Sequence, residues 1–266
     1  LKCHTIFMYD IPVKERTEIV EFCYRHSRNI YFNPEVSDVI EFSAQHIVLD
    51  DVSLIGATVK ELSLEQRFVK RTMDIVISLV GLVISSPIWV ICSICIKADD
   101  GGSVFFKQKR ATKNGKVFEV YKFRTMKENV TNYSSTTDDS RITRVGKVLR
   151  KFRLDELPQI INILRGEMSL VGPRPEMLEN VYSYTADLPE FEYRLRVKAG
   201  LTGYAQIAGK YNTSPRDKLI LDLMYIENYS LRLDLKLIFM TFKILFMKES
   251  TEGVAEGQTT ATLEEE

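Results

Sequence analysis

Two carboxylates, Asp155 and Glu156, stand side by side directly after a run rich in arginine and lysine. Asp is a residue type that favours the N-cap of a helix, and here the apolar run 160–164 follows. Pro158 is compatible with a first turn, because backbone N–H groups there have no helical partner. The helix dipole favours an acid such as Glu156 in that turn. In this interpretation the pair is structural.

The same pair also has the chemistry of a phosphate-transfer site. Cations at Arg150, Lys151 and Arg153 precede it and would hold a carboxylate ionised. An ionised carboxylate can attack phosphorus or bind Mg²⁺. Consecutive side chains project in different directions, so one acid could act as the nucleophile while the other holds a metal.

Arg174 lies between Pro173 and Pro175, which fix the backbone on either side. A rigidly held arginine suits bidentate binding of phosphate. The alternative is a structural turn whose arginine pairs with a nearby acid.

The charge distribution indicates an anionic partner for the middle of the chain. The 266 residues carry 36 basic and 36 acidic side chains, but residues 97–154 hold fifteen Lys/Arg against six Asp/Glu. Such a basic region suits phosphate, nucleic acid or a lipid surface. Residues 249–266 contain six acids and no Lys or Arg, which predicts a disordered, solvated tail.

Histidine and cysteine usage excludes several kinds of site. His4, His26 and His46 all lie in the first 46 residues, which argues against a Ser-His-Asp triad, a His-rich zinc site or a His general base in the main body. The four cysteines are too scattered for a disulfide framework, which favours a reducing compartment. Cys92 and Cys95 lie in an apolar segment and are interpreted as small buried side chains.

The first 60 residues predict a β-α-β unit left over from a parallel α/β domain. The segments that carry this pattern are Thr5–Met8, Val13–Tyr24, Asn29–Phe32 and His46–Leu49. Further along, Asn114-Gly115 between the apolar runs 104–106 and 117–121 predicts a β-hairpin.

Residues Ile75–Ile96 carry no charge and are long enough to cross a bilayer as a helix. A single transmembrane anchor is one interpretation. Against it, Ser86-Pro87 lies at the middle: proline deletes a backbone donor, and the hydroxyl of Ser85 or Ser86 can satisfy the freed carbonyl. Both flanks are also basic, as expected of a cytoplasmic side. A re-entrant helix-break-helix that enters one leaflet and returns reconciles these features.

Two further segments predict amphipathic helices. Residues 141–152 have apolar side chains at helical spacing among four cations, and this surface would face either an anionic membrane or a protein core. Residues 230–248 predict a helix that lies on the membrane or packs beneath the domain.

Several runs in order carry a resemblance to a known family. They are Arg67–Asp74, the Ser86-Pro87 break, Lys122–Met126, Asp155–Gln159, Gly166–Pro175 and Gly200–Gln206. Over residues 67–248 the chain resembles the bacterial sugar transferase domain of the monotopic phosphoglycosyl transferase superfamily. It departs from many members at Tyr204, where they have Trp. Residues 1–66 are similar to the end of the α/β domain that precedes the catalytic domain in longer members, which predicts a chain truncated at its N-terminus.

The resemblance implies an α+β, mainly helical catalytic domain (98–248) with a small β-hairpin, a re-entrant membrane hairpin (67–97) and a disordered tail (249–266). It implies transfer of a sugar-1-phosphate from a UDP-sugar to undecaprenyl phosphate with loss of UMP. Asp155 would be the nucleophile and Glu156 the ligand of Mg²⁺. The implied location is the cytoplasmic leaflet of the bacterial inner membrane. Implied partners are downstream glycosyltransferases and a second copy of the chain, and nucleic acid is not one.

The resemblance also implies roles for the remaining motif residues. Those expected to contact substrate are Arg150, Arg174, Arg124, Lys122 and Gln159. Those expected to contact membrane or lipid are Lys70, Arg71, Ser86 and Pro87, with pairing to Asp74 as an alternative for the first two. Two other functions remain open from the residues alone: a metal-dependent phosphodiesterase acting on nucleotide sugars, and an inactive membrane scaffold.

Overall fold

A computed structural model describes residues 4–57, 61–128, 139–209 and 213–245. Within these ranges the protein is α+β and mainly helical, as predicted. Its helices are α1 Val13–Arg25, α2 Val36–Phe42, α3 Leu64–Asp100, α4 Arg144–Lys151, α5 Gln159–Arg165, α6 Leu178–Asp187, α7 Tyr204–Ala208, α8 Pro215–Glu227 and α9 Leu231–Leu245. Its strands are β1 Thr5–Met8, β2 Asn29–Phe32, β3 Gln45–Leu49, β4 Val52–Gly56, β5 Phe105–Ala111, β6 Val117–Phe123, β7 Ser169–Val171 and β8 Gly200–Thr202. The predicted acidic tail from residue 249 lies outside the described residues.

The predicted β-α-β unit is present at the start of the chain. Strands β1 and β2 are parallel, with Thr5 opposite Asn29, and α1 connects them. The prediction was wrong for the third strand: β3 pairs with β4 in an antiparallel hairpin of its own. Helix α2, which lies between β2 and β3, was not predicted. Its first turn is closed by a capping box of Glu35 and Asp38.

Helix α2 packs this N-terminal unit onto the rest of the protein. Val39 belongs to the main hydrophobic core. Ser43 donates a hydrogen bond of 3.0 Å to Glu227 in α8, and Glu35 pairs with Arg216 at the start of α8.

Helix α3 runs from its Ser63 N-cap to Gly101, which adopts φ 74° and ends it. The helix is continuous through Pro87, so the predicted helix-break-helix does not appear as an interruption. Proline removes the N–H that would bond to Val83, and the Ser86 hydroxyl donates to that carbonyl at 2.8 Å instead. This substitution by a neighbouring serine was predicted, and it explains how the helix continues.

One narrow stripe of α3 contacts the domain, while most of its surface is exposed. The buried members of the stripe are Asp74, Ser78, Ser85, Cys92 and Ile96. By length and composition α3 can cross a membrane, and 17% of its most apolar window is buried. It is therefore not the core helix of a globular body. An apolar surface of this size indicates contact with a membrane or partner.

The predicted hairpin consists of β5 and β6, paired from Phe105 opposite Phe123 to Ala111 opposite Val117. Asn114 and Gly115 have φ of 59° and 69° in the connecting turn, which explains why this dipeptide stands there. Phe118 and Val120 lie on one face of β6 and join the main core, whereas Phe123 lies on the opposite face and packs under α3.

The main core lies between α5, β7, α8 and α9. Its completely buried members are Ile163, Met168, Phe191, Leu219, Leu223 and Leu237. Strands β7 and β8 run parallel through it. A Cβ at Gly200 would lie 2.1 Å from the nitrogen of Gly172, so these two backbones approach as closely as glycine allows.

Both predicted amphipathic helices are present, and each divides its apolar residues between core and solvent. In α4, Leu149 is buried, but Val148 and Phe152 at its end are exposed. In α9, Leu237 is buried while Phe239 and Phe242 are exposed. Each helix therefore has both a core side and an apolar outer side.

Candidate active site

The acidic pair lies in a tight turn before α5. Leu154–Glu156 form one turn of 3-10 helix, and Arg153 before it adopts the left-handed conformation with φ 53°. The predicted N-cap role of Asp155 is wrong. Helix α5 begins at Gln159 behind Pro158, and no side chain caps it. Because the chain turns between Asp155 and Gln159, the two acids remain outside the regular helix.

Two cations converge on Glu156. Its Oε1 accepts from Arg174 at 2.9 Å and lies 3.4 Å from the Lys122 ammonium. Lys122 reaches it from β6, while Arg174 comes from the loop after β7. The sequence offered two roles for Arg174, phosphate binding and pairing with a nearby acid. The two are compatible here, because the acid with which Arg174 pairs, Glu156, belongs to the candidate site. The Glu156 side chain is 17% exposed, so its carboxylate is largely shielded from water.

The environment pushes the pKa values of the two acids apart. Burial raises the pKa of Asp155 above its ordinary value, although Lys122 and Arg150 act in the opposite direction. Burial also disfavours ionised Glu156, but Arg174, Lys122 and Arg153 outweigh it and lower its pKa. The surrounding cations therefore hold Glu156 ionised.

A cleft opens beside Glu156. It is lined by Arg110, Val120, Lys122, Glu156, Gln159, Arg174, Pro175, Gly200 and Leu201. Lys122, Gln159 and Arg174, which were expected to contact substrate, thus line one cleft. Asp155 and Arg150 stand next to this group, with Arg150 donating to Thr125 at 2.9 Å.

Arg110 is a site residue that the sequence interpretation missed. Its guanidinium donates to the carbonyl of Pro175 at 3.2 Å, and its Nε is buried without a hydrogen-bond partner among the described residues. Alternation along β5 could have identified it, because Arg110 shares the inward face with Phe106 and Gln108. Burial lowers the pKa of Arg110 to about 10, which leaves it a cation.

Arg124 is not brought to this cluster. It forms an ion pair with Asp100 and donates to the carbonyl of Ser103 at 2.6 Å. Its side chain is 6% exposed, and it fastens the end of α3 to the hairpin.

The expected lipid contacts of Lys70 and Arg71 are not found, because both side chains turn into the protein. Lys70 pairs with the fully buried Asp234 at 2.7 Å. Arg71 donates to the carbonyls of Ile163 and Leu164 and so caps the end of α5. Neither residue pairs with Asp74.

Asp74 accepts from the Ser169 hydroxyl at 3.1 Å and from the Leu170 N–H at 3.0 Å. It therefore anchors α3 to β7. Ser86 and Pro87, by contrast, lie on the exposed side of α3.

The protein thus combines an acidic pair under several cations with an α+β domain that carries a long, exposed apolar helix. Residues 65–248 match the family model described as bacterial sugar transferase. The chain belongs to that family.

Two of the relatives described below are named for transfer to undecaprenyl phosphate. The chain is 39% identical over 184 residues to the UDP-N-acetylgalactosamine-undecaprenyl-phosphate N-acetylgalactosaminephosphotransferase of Aeromonas hydrophila, covering 67% of this chain and 44% of that protein. It is 31% identical over 268 residues to the undecaprenyl-phosphate galactose phosphotransferase of Salmonella typhimurium, covering 92% of this chain and 56% of that protein. Exopolysaccharide production protein ExoY of Sinorhizobium fredii is 39% identical over 190 residues, with 65% of this chain and 83% of ExoY covered. The chain thus spans about half the length of the first two.

Proposed function

We propose that the protein is a phosphoglycosyl transferase that moves a sugar-1-phosphate from a UDP-sugar to undecaprenyl phosphate and releases UMP. The observation that carries the proposal is the acidic pair beside a cleft lined by Arg110, Lys122 and Arg174. These cations complement the negative charge of a diphosphate. The names of the relatives support the same reaction. It would be the first membrane step of exopolysaccharide, capsule, O-antigen or glycoprotein glycan synthesis.

In the first step a carboxylate oxygen of Asp155 attacks the phosphorus that bears the sugar. A bond from Asp155 to phosphorus forms, the bond to the bridging oxygen breaks, and UMP leaves with that electron pair. In the second step a phosphate oxygen of undecaprenyl phosphate attacks the same phosphorus and expels the carboxylate. Both nucleophiles attack as anions, so the absence of histidine from residues 47–266 is consistent with the chemistry.

The cations act on the charge that develops during transfer. Arg174 and Lys122 already contact Glu156, and the unpartnered Nε of Arg110 supplies a further donor at the cleft. Donors that are fixed before the reaction stabilise a leaving phosphate without reorganisation. Gln159 lines the same cleft and would orient the donor.

The donor set also fits Mg²⁺. This ion takes hard oxygen ligands, and in phosphate-transfer sites one or two carboxylates plus substrate phosphates suffice. In the described ranges no three His, Cys, Asp or Glu side chains come together, so phosphate oxygens and water would complete the ligand shell. Glu156 would hold the ion, which would offset charge on the diphosphate.

We propose that α3 bends at Pro87 within the cytoplasmic leaflet of the inner membrane, so that both of its ends lie on the same side. Near its start Arg71 binds the end of α5, and at its end Asp100 binds Arg124. Both ends thus rest on one domain, whereas a spanning helix would separate them. The exposed apolar side chains of α4 and α9 would lie at the same surface.

A thiol-labelling experiment tests this topology. A membrane-impermeant reagent should label Glu65→Cys and Lys107→Cys from the same side of sealed vesicles, because both native side chains are exposed and lie on either side of the uncharged segment Ile75–Ile96. Labelling from opposite sides would show a spanning helix.

A screen of UDP-sugars for UMP release, with and without undecaprenyl phosphate, tests the reaction. The Asp155→Asn variant should lose activity and form no phosphosugar adduct, while the control Asp187→Asn, at an exposed end of α6, should keep both. Full-rate hydrolysis without acceptor would indicate a phosphodiesterase instead. No activity in any form would favour a scaffold.

A further inference from the structure

The loop Pro173-Arg174-Pro175 is held at every backbone carbonyl. Its two prolines have fixed φ and no backbone N–H to donate. The backbone of this loop therefore forms hydrogen bonds largely by accepting them at its carbonyl oxygens. Their donors are the Gly200 N–H to Pro173 at 2.8 Å, the Arg194 guanidinium to Arg174 at 2.8 Å and the Arg110 guanidinium to Pro175 at 3.2 Å. The Arg174 side chain is 44% exposed, so protein packing surrounds only part of it. The position of the loop backbone therefore helps to set the direction in which the guanidinium approaches Glu156.

Arg194 is the most deeply buried of these side-chain donors. It belongs to a 3-10 helix, Pro189–Arg196, and is 3% exposed. Its Nε and a terminal nitrogen lie 2.9 and 2.7 Å from one carboxylate oxygen of Asp222 in α8, and its guanidinium lies over the ring of Phe191 at 4.7 Å. Asp222 is itself 1% exposed. Arg194 therefore has a fixed orientation when it donates to the Arg174 carbonyl.

We propose that Arg194, held by Asp222, is a positioning residue that directs the Arg174 guanidinium toward Glu156 and the phosphate of the donor. The inference rests on the proposed function. Arg194 contacts neither substrate nor the acidic pair, and it acts through the backbone of Arg174. Lysine at position 194 would keep the buried charge, but its single nitrogen does not reproduce the planar fork that serves Asp222 and the carbonyl together.

A double-mutant cycle separates positioning from general structure. Arg194→Lys should lower kcat/KM for the UDP-sugar by about 10- to 100-fold, mainly by raising KM, since a shift of about 1 Å in a binding group has that effect. In an Arg174→Ala background the same change should have no further effect. Equal losses in both backgrounds would overturn the inference, because a merely structural role does not depend on Arg174.

A matched control lies two residues away. Arg196 belongs to the same 3-10 helix and pairs with Glu227 at 3.8 Å, away from the Arg174 loop. Arg196→Lys should leave kcat/KM unchanged. If Arg194→Lys does not fold, Asp222→Asn, which frees Arg194 from its charged partner, should give the same dependence on Arg174.

Binding of inorganic pyrophosphate by calorimetry keeps this test apart from that of the proposed function. The wild type should bind pyrophosphate, and Arg194→Lys should weaken binding only when Arg174 is present. If the protein turns over a UDP-sugar but the effects of Arg194→Lys and Arg174→Ala are additive in both kcat/KM and pyrophosphate binding, the positioning role is wrong and the transferase proposal stands. No turnover with any UDP-sugar, together with non-additive pyrophosphate binding, would overturn the transferase and leave the positioning role.

Discussion

Gly146 in α4 offers a sharp test of how the site is positioned. A Cβ at this residue would lie 2.1 Å from the carbonyl oxygen of Thr125, where ordinary close contact is about 3.3 Å. In Gly146→Ala, therefore, α4 and the segment after β6 must separate by about 1 Å. Arg150 on α4 bonds to the hydroxyl of that same Thr125, and its charge acts on Asp155. The displacement should reach the acidic pair.

Two opposing effects decide the size of the change in stability. Alanine favours a helix over glycine by about 1 kcal/mol, while forcing a methyl group into a packed contact costs about 1–3 kcal/mol. The net loss is about 0–2 kcal/mol, or at most about 8 °C in Tm for a domain of this size. Activity should respond more, because a displacement of about 1 Å in a catalytic group can lower the rate by about 100-fold.

The assay is UMP release together with a thermal melt. The same substitution at Gly81 is the control, since its Cβ would lie an ordinary 3.7 Å from Ile160. Gly81→Ala should keep kcat/KM and an equal or higher Tm. If Gly146→Ala also kept wild-type kcat/KM, the close approach of α4 would not govern the site.

Three other outcomes are expected. Asp74→Ala should lower the free energy of unfolding by about 2–6 kcal/mol because it leaves two buried donors without an acceptor. Asp74→Asn keeps an acceptor oxygen, so its free energy of unfolding should fall by less. Equal losses for the two variants in urea melts would argue against these hydrogen bonds. Arg110→Gln should raise KM for the UDP-sugar while Lys109→Gln, on the exposed face of the same strand, should not, and equal effects would exclude a specific role for Arg110. Burial raises the pKa of Asp222 to about 6, so the folded protein binds a proton at Asp222 more tightly than the unfolded chain does. The stabilisation of the folded state by this proton is therefore lost as the pH rises from about 4 through 6. Asp222→Asn does not titrate, so its Tm relative to the wild type should rise over that interval, and a fall would mean that the pair with Arg194 outweighs burial.

Local patterns predicted those elements whose structure depends on nearby residues. Asn114-Gly115 fixed the hairpin because few residue types adopt positive φ twice in succession. Strand β3 was predicted as part of a parallel α/β unit but pairs with β4 in an antiparallel hairpin, because alternating apolar residues do not specify which strand edge they join. The N-cap role of Asp155 failed for a related reason: cap preference is statistical, and here the chain forms a separate 3-10 turn.

The sequence shows which side chains carry a positive charge, but it does not show which acid or carbonyl each of them binds. Lys70 and Arg71 were expected at lipid, yet they satisfy a buried aspartate and the end of a helix. Arg124 likewise pairs with Asp100. A long cation can turn either way along a helix, and the choice depends on which distant acid or carbonyl is within reach.

The sequence by itself determined the family, the acidic pair, the hairpin, and the serine that compensates Pro87, because each depends on residue type and short-range spacing. Only the tertiary structure decided that Arg110 and Arg174 reach the cleft together with Lys122, that both ends of α3 rest on one domain, and that Arg194 holds the Arg174 loop. These contacts join residues far apart in the chain. The packing of β6, α5 and α8 brings these residues together, and a local sequence pattern does not predict that packing.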